Sequence, residues 1–108
     1  MARPTIRVGN CSGFYGDRLS AMREQLEGGE LDVITGDYLA ELTMLILFRQ
    51  RAKDAARGWA TSFLRQLEPV LGLIAERRTK VVVNAGGLAP AACAQAVRAA
   101  ATALGLDL

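Results

Sequence analysis

Ile6-Arg7-Val8-Gly9-Asn10-Cys11-Ser12-Gly13-Phe14-Tyr15-Gly16-Asp17 sets a short β-type run directly before a glycine-rich turn. The same succession recurs where Leu31-Asp32-Val33-Ile34-Thr35 meets Gly36-Asp37-Tyr38. It recurs again where Val81-Val82-Val83 meets Asn84-Ala85-Gly86-Gly87-Leu88-Ala89-Pro90. A turn between a strand and the following helix lies at the carboxyl end of a parallel sheet, where open α/β folds hold their ligands. Turns of this kind on one edge gather Asn10, Ser12, Asp17, Asp37, Tyr38, Glu41 and Asn84 around one expected cleft.

The segments between the strands read as helices. Asp17 is the expected N-cap of a helix from Arg18 to about Glu27, with a narrow apolar stripe through Leu19, Met22 and Leu26 and a stop at Gly28-Gly29. Asp37 is the expected cap of a second helix, Tyr38 to about Arg51. That helix is apolar nearly all round, which predicts burial on more than one side. After Gly58 the helical period runs from Ala60 through Phe63, Leu67, Val70 and Ile74, with a kink or fresh start expected at Pro69. Arg77 and Arg78 close this stretch where positive charge suits the helix dipole.

Val81-Val82-Val83 is β-branched throughout and reads as a strand buried on both faces. Pro90 opens an alanine-rich last helix that runs to about Ala103, and Gly105 ends it. Leu106-Asp107-Leu108 then reads as the opening of a further strand. The order β-α-β-α-α-β-α predicts a single α/β domain over 1–108, with an open parallel sheet of about three strands and right-handed crossovers. The pattern leaves strand order open. A small sheet with two edges reads as the front part of a larger fold, or as a short protein that covers its edge by self-association.

Composition narrows the function. The chain has 108 residues, 51% of them apolar, at or slightly above the usual globular range. That share hints at surface covered by something else. Net charge is +2 with the basic residues dispersed, which does not describe a nucleic-acid binder. Histidine is absent, which removes the commonest general base and the commonest zinc ligand together. Cys11 and Cys93 lack CxxC spacing and read as reduced thiols of a cytoplasmic protein. Met1-Ala2-Arg3-Pro4 leads straight into the first strand without a leader pattern. Leu39 to Phe48 is far shorter than the roughly 20 residues that span a bilayer, so no membrane association is expected.

Each polar position carries two readings. The first turn is a phosphate cradle or plain turn geometry; Gly9, Gly13 and Gly16 fit neither dinucleotide nor P-loop spacing, and Asp17 repels phosphate. Asp37 and Glu41, four apart, share a helix face as a carboxylate pair for proton transfer or Mg²⁺, or else serve as a cap and a solvated charge. Glu41 in an apolar helix favours the pair, because a charge there needs a partner. Asn84 either presents its amide to a carbonyl, as an oxyanion site does, or is an asparagine suited to a tight turn. Ser12 has no base to activate it as a nucleophile. Cys11 is a reactive thiol or a small residue in a tight loop, and the loop reading is the stronger. Tyr15 and Tyr38 line a pocket or pack.

The three blocks, taken in order, resemble the acyclic terpene utilisation (AtuA-like) family, also filed as a domain of unknown function. The resemblance rests on Gly9-Asn10 with Ser12 to Arg18, on Leu31-Asp32-Val33 with Thr35 to Met44, and on Asn84 to Leu88 with Pro90-Ala91. It covers the chain from about Ile6 to Leu106. Cys11 and Pro69 depart from the family pattern. The resemblance implies the N-terminal portion of a longer metabolic protein tied to acyclic terpenoid breakdown through CoA thioesters. Its partner is then a small acyl or acyl-CoA-type molecule. The family brings no defined catalytic residues. The implied site uses Asn10, Ser12, Gly13, Gly36, Asp37, Tyr38, Glu41, Asn84, Gly86 and Gly87, with Asp37 or Glu41 handling a proton or a metal. The alternative is a truncated non-catalytic remnant or a small self-associating module.

Overall fold

A computed structural model describes residues 3–108. Met1 and Ala2, where the leader-free start was read, lie outside the described residues. The strands are β1 (Val8–Asn10), β2 (Val33–Gly36) and β3 (Lys80–Val83), all parallel, in the spatial order β1-β2-β3. The central strand is therefore β2. The register aligns Gly9 with Ile34 and Ile34 with Val81.

Because side chains alternate along a strand, Gly9, Ile34, Val81 and Val83 share one face, while Val8, Val33, Lys80 and Val82 share the other. Right-handed crossovers in a β1-β2-β3 order put both connections on the same side of the sheet. Burial follows that rule. Ile34 is fully buried, whereas Val8 is 62% and Val82 60% exposed. The expectation that β3 is buried on both faces is thus corrected: it is an edge strand covered on one side.

The helices that cover the sheet are α1 (Ala21–Gly28), α3 (Thr61–Leu67) and α4 (Leu71–Arg77). Met22 and Leu26 from α1 join Phe63, Leu67 and Leu71 in one core with Ile34. Each such buried apolar side chain contributes about 1.5–3 kcal/mol. Pro69 does restart the helix: a single 3₁₀ turn, Glu68–Val70, separates α3 from α4. Arg77 does more than close α4. Its guanidinium donates to the carbonyls of Leu26 and Gly29, the orphan acceptors at the end of α1. The last helix, α5 (Pro90–Ala103), begins at proline as expected. Leu106 to Leu108 forms no strand; its first amide donates to Ala101 O and wraps the helix end at 2.9 Å.

Two helix starts differ from expectation. α1 begins three residues after Arg18, because the Asp17 carboxylate turns back to accept from Gly13 N at 2.8 Å and Arg18 N at 2.8 Å. It closes its own loop and caps no helix. The second helix, α2 (Glu41–Lys53), begins after an extended Ala40, so Asp37 lies outside it. Nor is α2 buried on several sides: of its residues only Thr43 and Leu47 are buried, and Leu42 is 69% exposed. The core against the sheet is built from α1, α3 and α4 with Cys93 of α5, while α2 buries only its Thr43–Leu47 side.

Candidate functional site

The carboxyl ends of the strands do converge. Cys11 N donates to Thr35 O at 2.9 Å and Asp37 N donates to Ser12 O at 3.0 Å, which zips the first turn to the second. The second turn meets the third through Asn84, whose Oδ1 accepts from Tyr38 N at 2.8 Å. Its Nδ2 donates to Asp37 Oδ1 at the same distance of 2.8 Å. Asp37 Oδ1 also accepts from Leu39 N at 3.2 Å. These two donors, Asn84 first, hold the Asp37 carboxyl below the ordinary aspartate range. Asp37 is therefore an ionised acceptor at neutral pH, unsuited to act as a general acid there.

Asn10 and Ser12 are spent largely on shape. Asn10 Nδ2 donates to Ser12 O at 3.2 Å, and Asn10 Oδ1 accepts from Thr35 Oγ1 at 3.2 Å. Ser12 is buried and its hydroxyl donates to Phe14 O at 3.0 Å. The donors a phosphate would use in this turn are taken by Asp17. The Gly13 and Arg18 amides, in that order, hold the Asp17 carboxyl below its ordinary value. A cavity of about 390 Å³ lies beside it, lined by Asn10, Ser12, Gly13, Asp17, Glu24 and neighbours. Arg18 also lines it but is paired with Glu24 at 3.3 Å, so with Asp17 and the occupied amides it is a poor host for an anion.

Tyr38 does not line a pocket. It is fully buried, packs edge-on against Phe63 with ring centroids 5.6 Å apart, and donates its hydroxyl to Gln66 Oε1. Burial, with Cys11 next to it, raises the phenol above its usual range and keeps it protonated. Cys11 is buried against that hydroxyl, Sγ to O 3.7 Å, and burial pushes its thiol up as well. The tight-loop reading of Cys11 holds. Tyr15 packs at the loop's outer side, its hydroxyl 3.1 Å from Thr61 Oγ1.

The glycines serve the chain's own side chains. A Cβ at Gly36 would stand 2.6 Å from the Tyr38 ring, and one at Gly86 would stand 2.8 Å from Pro90 Cα. Gly87 has φ 53°, in the left-handed region, with Leu47 closing over it.

Glu41 is not brought into this constellation. Residues 37–40 are not helical, so the spacing of four that placed Asp37 and Glu41 on one helix face does not apply. Among the described residues no group of three or more carboxylates, cysteines or histidines can hold a metal ion, and the Mg²⁺ expectation gains no site.

Sequence reasoning missed Gln66 and Ser62. Gln66, 2% exposed, accepts from Tyr38 and donates through Nε2 to Cys11 O at 3.3 Å and Arg18 O at 3.0 Å. Ser62 Oγ accepts from Gly16 N at 3.2 Å. The signal was there: two polar residues one helical turn apart, inside the stripe marked by Phe63 and Leu67.

A cavity of about 600 Å³ lies along β3 and α5 rather than over the three turns. Leu67, Leu71, Ile74, Val83, Cys93 and Val97 line it, and Gly86 with Pro90 connects it to the third turn. Exposed Arg98 stands among its lining residues. Polar turn and apolar cleft thus share one rim.

Among the described residues no helix is long and apolar enough to cross a membrane. No curated protein and no solved structure matches the chain. The family model described as acyclic terpene utilisation family protein AtuA matches residues 6–108, nearly the whole chain. This chain belongs to the acyclic terpene utilisation AtuA family.

Proposed function

We propose that the chain supplies a binding site for a branched acyclic acyl-type metabolite, presented as a thioester, at the carboxyl edge of the sheet. The observation that carries this reading is the continuity of the apolar cleft with the third turn through Gly86 and Pro90. A volume of about 600 Å³ lined by branched aliphatic side chains suits a hydrocarbon chain. Asn84 keeps a second amide hydrogen after its bond to Asp37, and on this reading that hydrogen donates to the ligand's carbonyl oxygen. The ionised Asp37 next to it repels a free carboxylate and tolerates a neutral thioester carbonyl. Asp37 then acts as a discriminating acceptor, while Asn10, Ser12, Gly36 and Tyr38 hold the turns in place. Free, buried Cys11 and Cys93 accord with a reducing, cytoplasmic setting.

The test uses Cys93, which lines the cleft, against Cys11, which does not. A branched acyclic acyl-CoA thioester should slow alkylation of Cys93 by iodoacetamide and leave Cys11 unchanged. Ala94→Phe, at an exposed lining position, should abolish that protection without altering the melting temperature. Equal protection of both thiols, or none, rejects the cleft as the site.

A further inference from the structure

We infer that α2 is a self-complementary docking helix, and that its occupant is the α2 of a second copy of this chain, packed antiparallel about a two-fold axis at Leu45. This goes beyond the ligand site and is independent of it.

The helix is held to the body by one side. Leu47 is buried near Gly87, and Arg51 donates to Leu88 O. On the opposite side Leu42, Leu45, Ile46 and Phe48 are exposed, Phe48 by 62%. At about 100° per residue they form one stripe turned away from Thr43 and Leu47. Those four side chains leave on the order of 400–500 Å² of apolar surface uncovered, as large as the biggest patch of an ordinary monomer. Across both copies that amounts to most of the roughly 1,000 Å² a specific interface needs, before the flanking charges are counted.

What selects a second copy is the charge pattern on that stripe. Glu41 and Arg49 stand equally far on either side of Leu45, both exposed and both on the same side of the helix as the apolar residues. Leu42 and Phe48 are likewise equidistant from it. A two-fold axis through Leu45 therefore sets Glu41 of each copy opposite Arg49 of the other, and Leu42 opposite Phe48. An isologous contact demands this kind of self-complementarity. A parallel arrangement would set like charge against like, so the antiparallel one is selected. Neither Glu41 nor Arg49 has an ion-pair partner within the chain among the described residues.

Light scattering over a concentration series of the full chain tests the inference, with charge swaps as its specific arm. The wild type should show a monomer–dimer equilibrium. Glu41→Arg alone or Arg49→Glu alone should weaken dimerisation on the order of tenfold, since symmetry turns two attractions into two repulsions. The double swap E41R/R49E should restore it. Leu45→Cys should form a symmetric intermolecular disulfide on mild oxidation, and Ala55→Cys, beyond the helix, should not. Mass that stays monomeric at every concentration overturns the inference. So does association that ignores the single swaps, which would mark nonspecific sticking of an apolar face or cover by a different chain.

Discussion

Tyr38 and Gln66 are bonded to each other in the core, hydroxyl to side-chain carbonyl, though one follows the second strand and the other is the penultimate residue of α3. Gln66 then reaches Cys11 O and Arg18 O, so one buried amide ties the first turn to the residue that ends the second.

Tyr38→Phe should destabilise the fold by about 1–3 kcal/mol, because Gln66 Oε1 is left buried without its donor. Gln66→Leu removes bonds to Cys11 O and Arg18 O in addition and should cost more. Combining the two should cost less than their sum, since an apolar pair leaves no orphan between them. Urea denaturation of the four proteins in this cycle measures the coupling; strict additivity would show that the bond carries no weight.

Asp17 and Asp37 set the acid limb of stability. Both carboxyls sit below their ordinary value when folded, Asp17 through the Gly13 and Arg18 amides and Asp37 through Asn84 and Leu39. Groups depressed in this way add stability above their unfolded value and lose it as pH falls through the folded one. Stability should thus be level from neutrality towards the ordinary aspartate range of about 4 and decline below it. Asp37→Asn, which keeps an acceptor, should shallow the decline. Asn84→Ala should raise the Asp37 value towards the ordinary one and leave Asp17 alone, as read by carboxyl NMR titration.

Much of the fold was legible because it depends on local signals. The apolar β-type runs at Gly9, Gly36 and Asn84 located β1, β2 and β3, and Pro69 announced the restart of the helix. What was not legible depended on which side of the sheet each crossover took. Val81 to Val83 carries the composition of a doubly covered strand, yet a β1-β2-β3 order leaves Val82 open. The apolar girdle of α2 could not reveal that only the Thr43–Leu47 side has anything to meet. At the turns, two aspartates were read as helix caps, while Asp17 closes its own loop and Asp37 pairs with Asn84. That pairing spans 47 positions, beyond any local pattern.

Arg77 should matter through carbonyls rather than through an ion pair. Arg77→Met keeps the aliphatic stem and removes the donors to Leu26 O and Gly29 O. The expected loss is about 1 kcal/mol, the worth of a cation at a helix carboxyl end with its hydrogen bonds. Arg78→Gly offers the contrast. Its φ of 56° is left-handed, so Arg78→Gly should hold or raise the melting temperature while Arg77→Met lowers it.

Gly87 and Gly72 should answer alanine in opposite directions, and the pair isolates what fastens α2. At Gly87 the backbone is left-handed and a Cβ would stand 2.6 Å from Leu47 Cδ1 and 2.9 Å from Gly58 O. The first neighbour is a flexible side-chain end, but the second is backbone that cannot step aside. Leu47 is also one of the two residues that α2 buries. Gly87→Ala should therefore cost more than the roughly 1–2 kcal/mol of left-handed strain alone. It should also raise hydrogen exchange along Glu41–Lys53 before the sheet is affected. Gly72 lies exposed in α4 with nothing within 4 Å of its Cβ position, so Gly72→Ala should stabilise by about 0.5–1 kcal/mol. If Gly87→Ala lowers stability while α2 exchanges at its wild-type rate, the helix is fastened by Arg51 and Leu88 and not by Leu47.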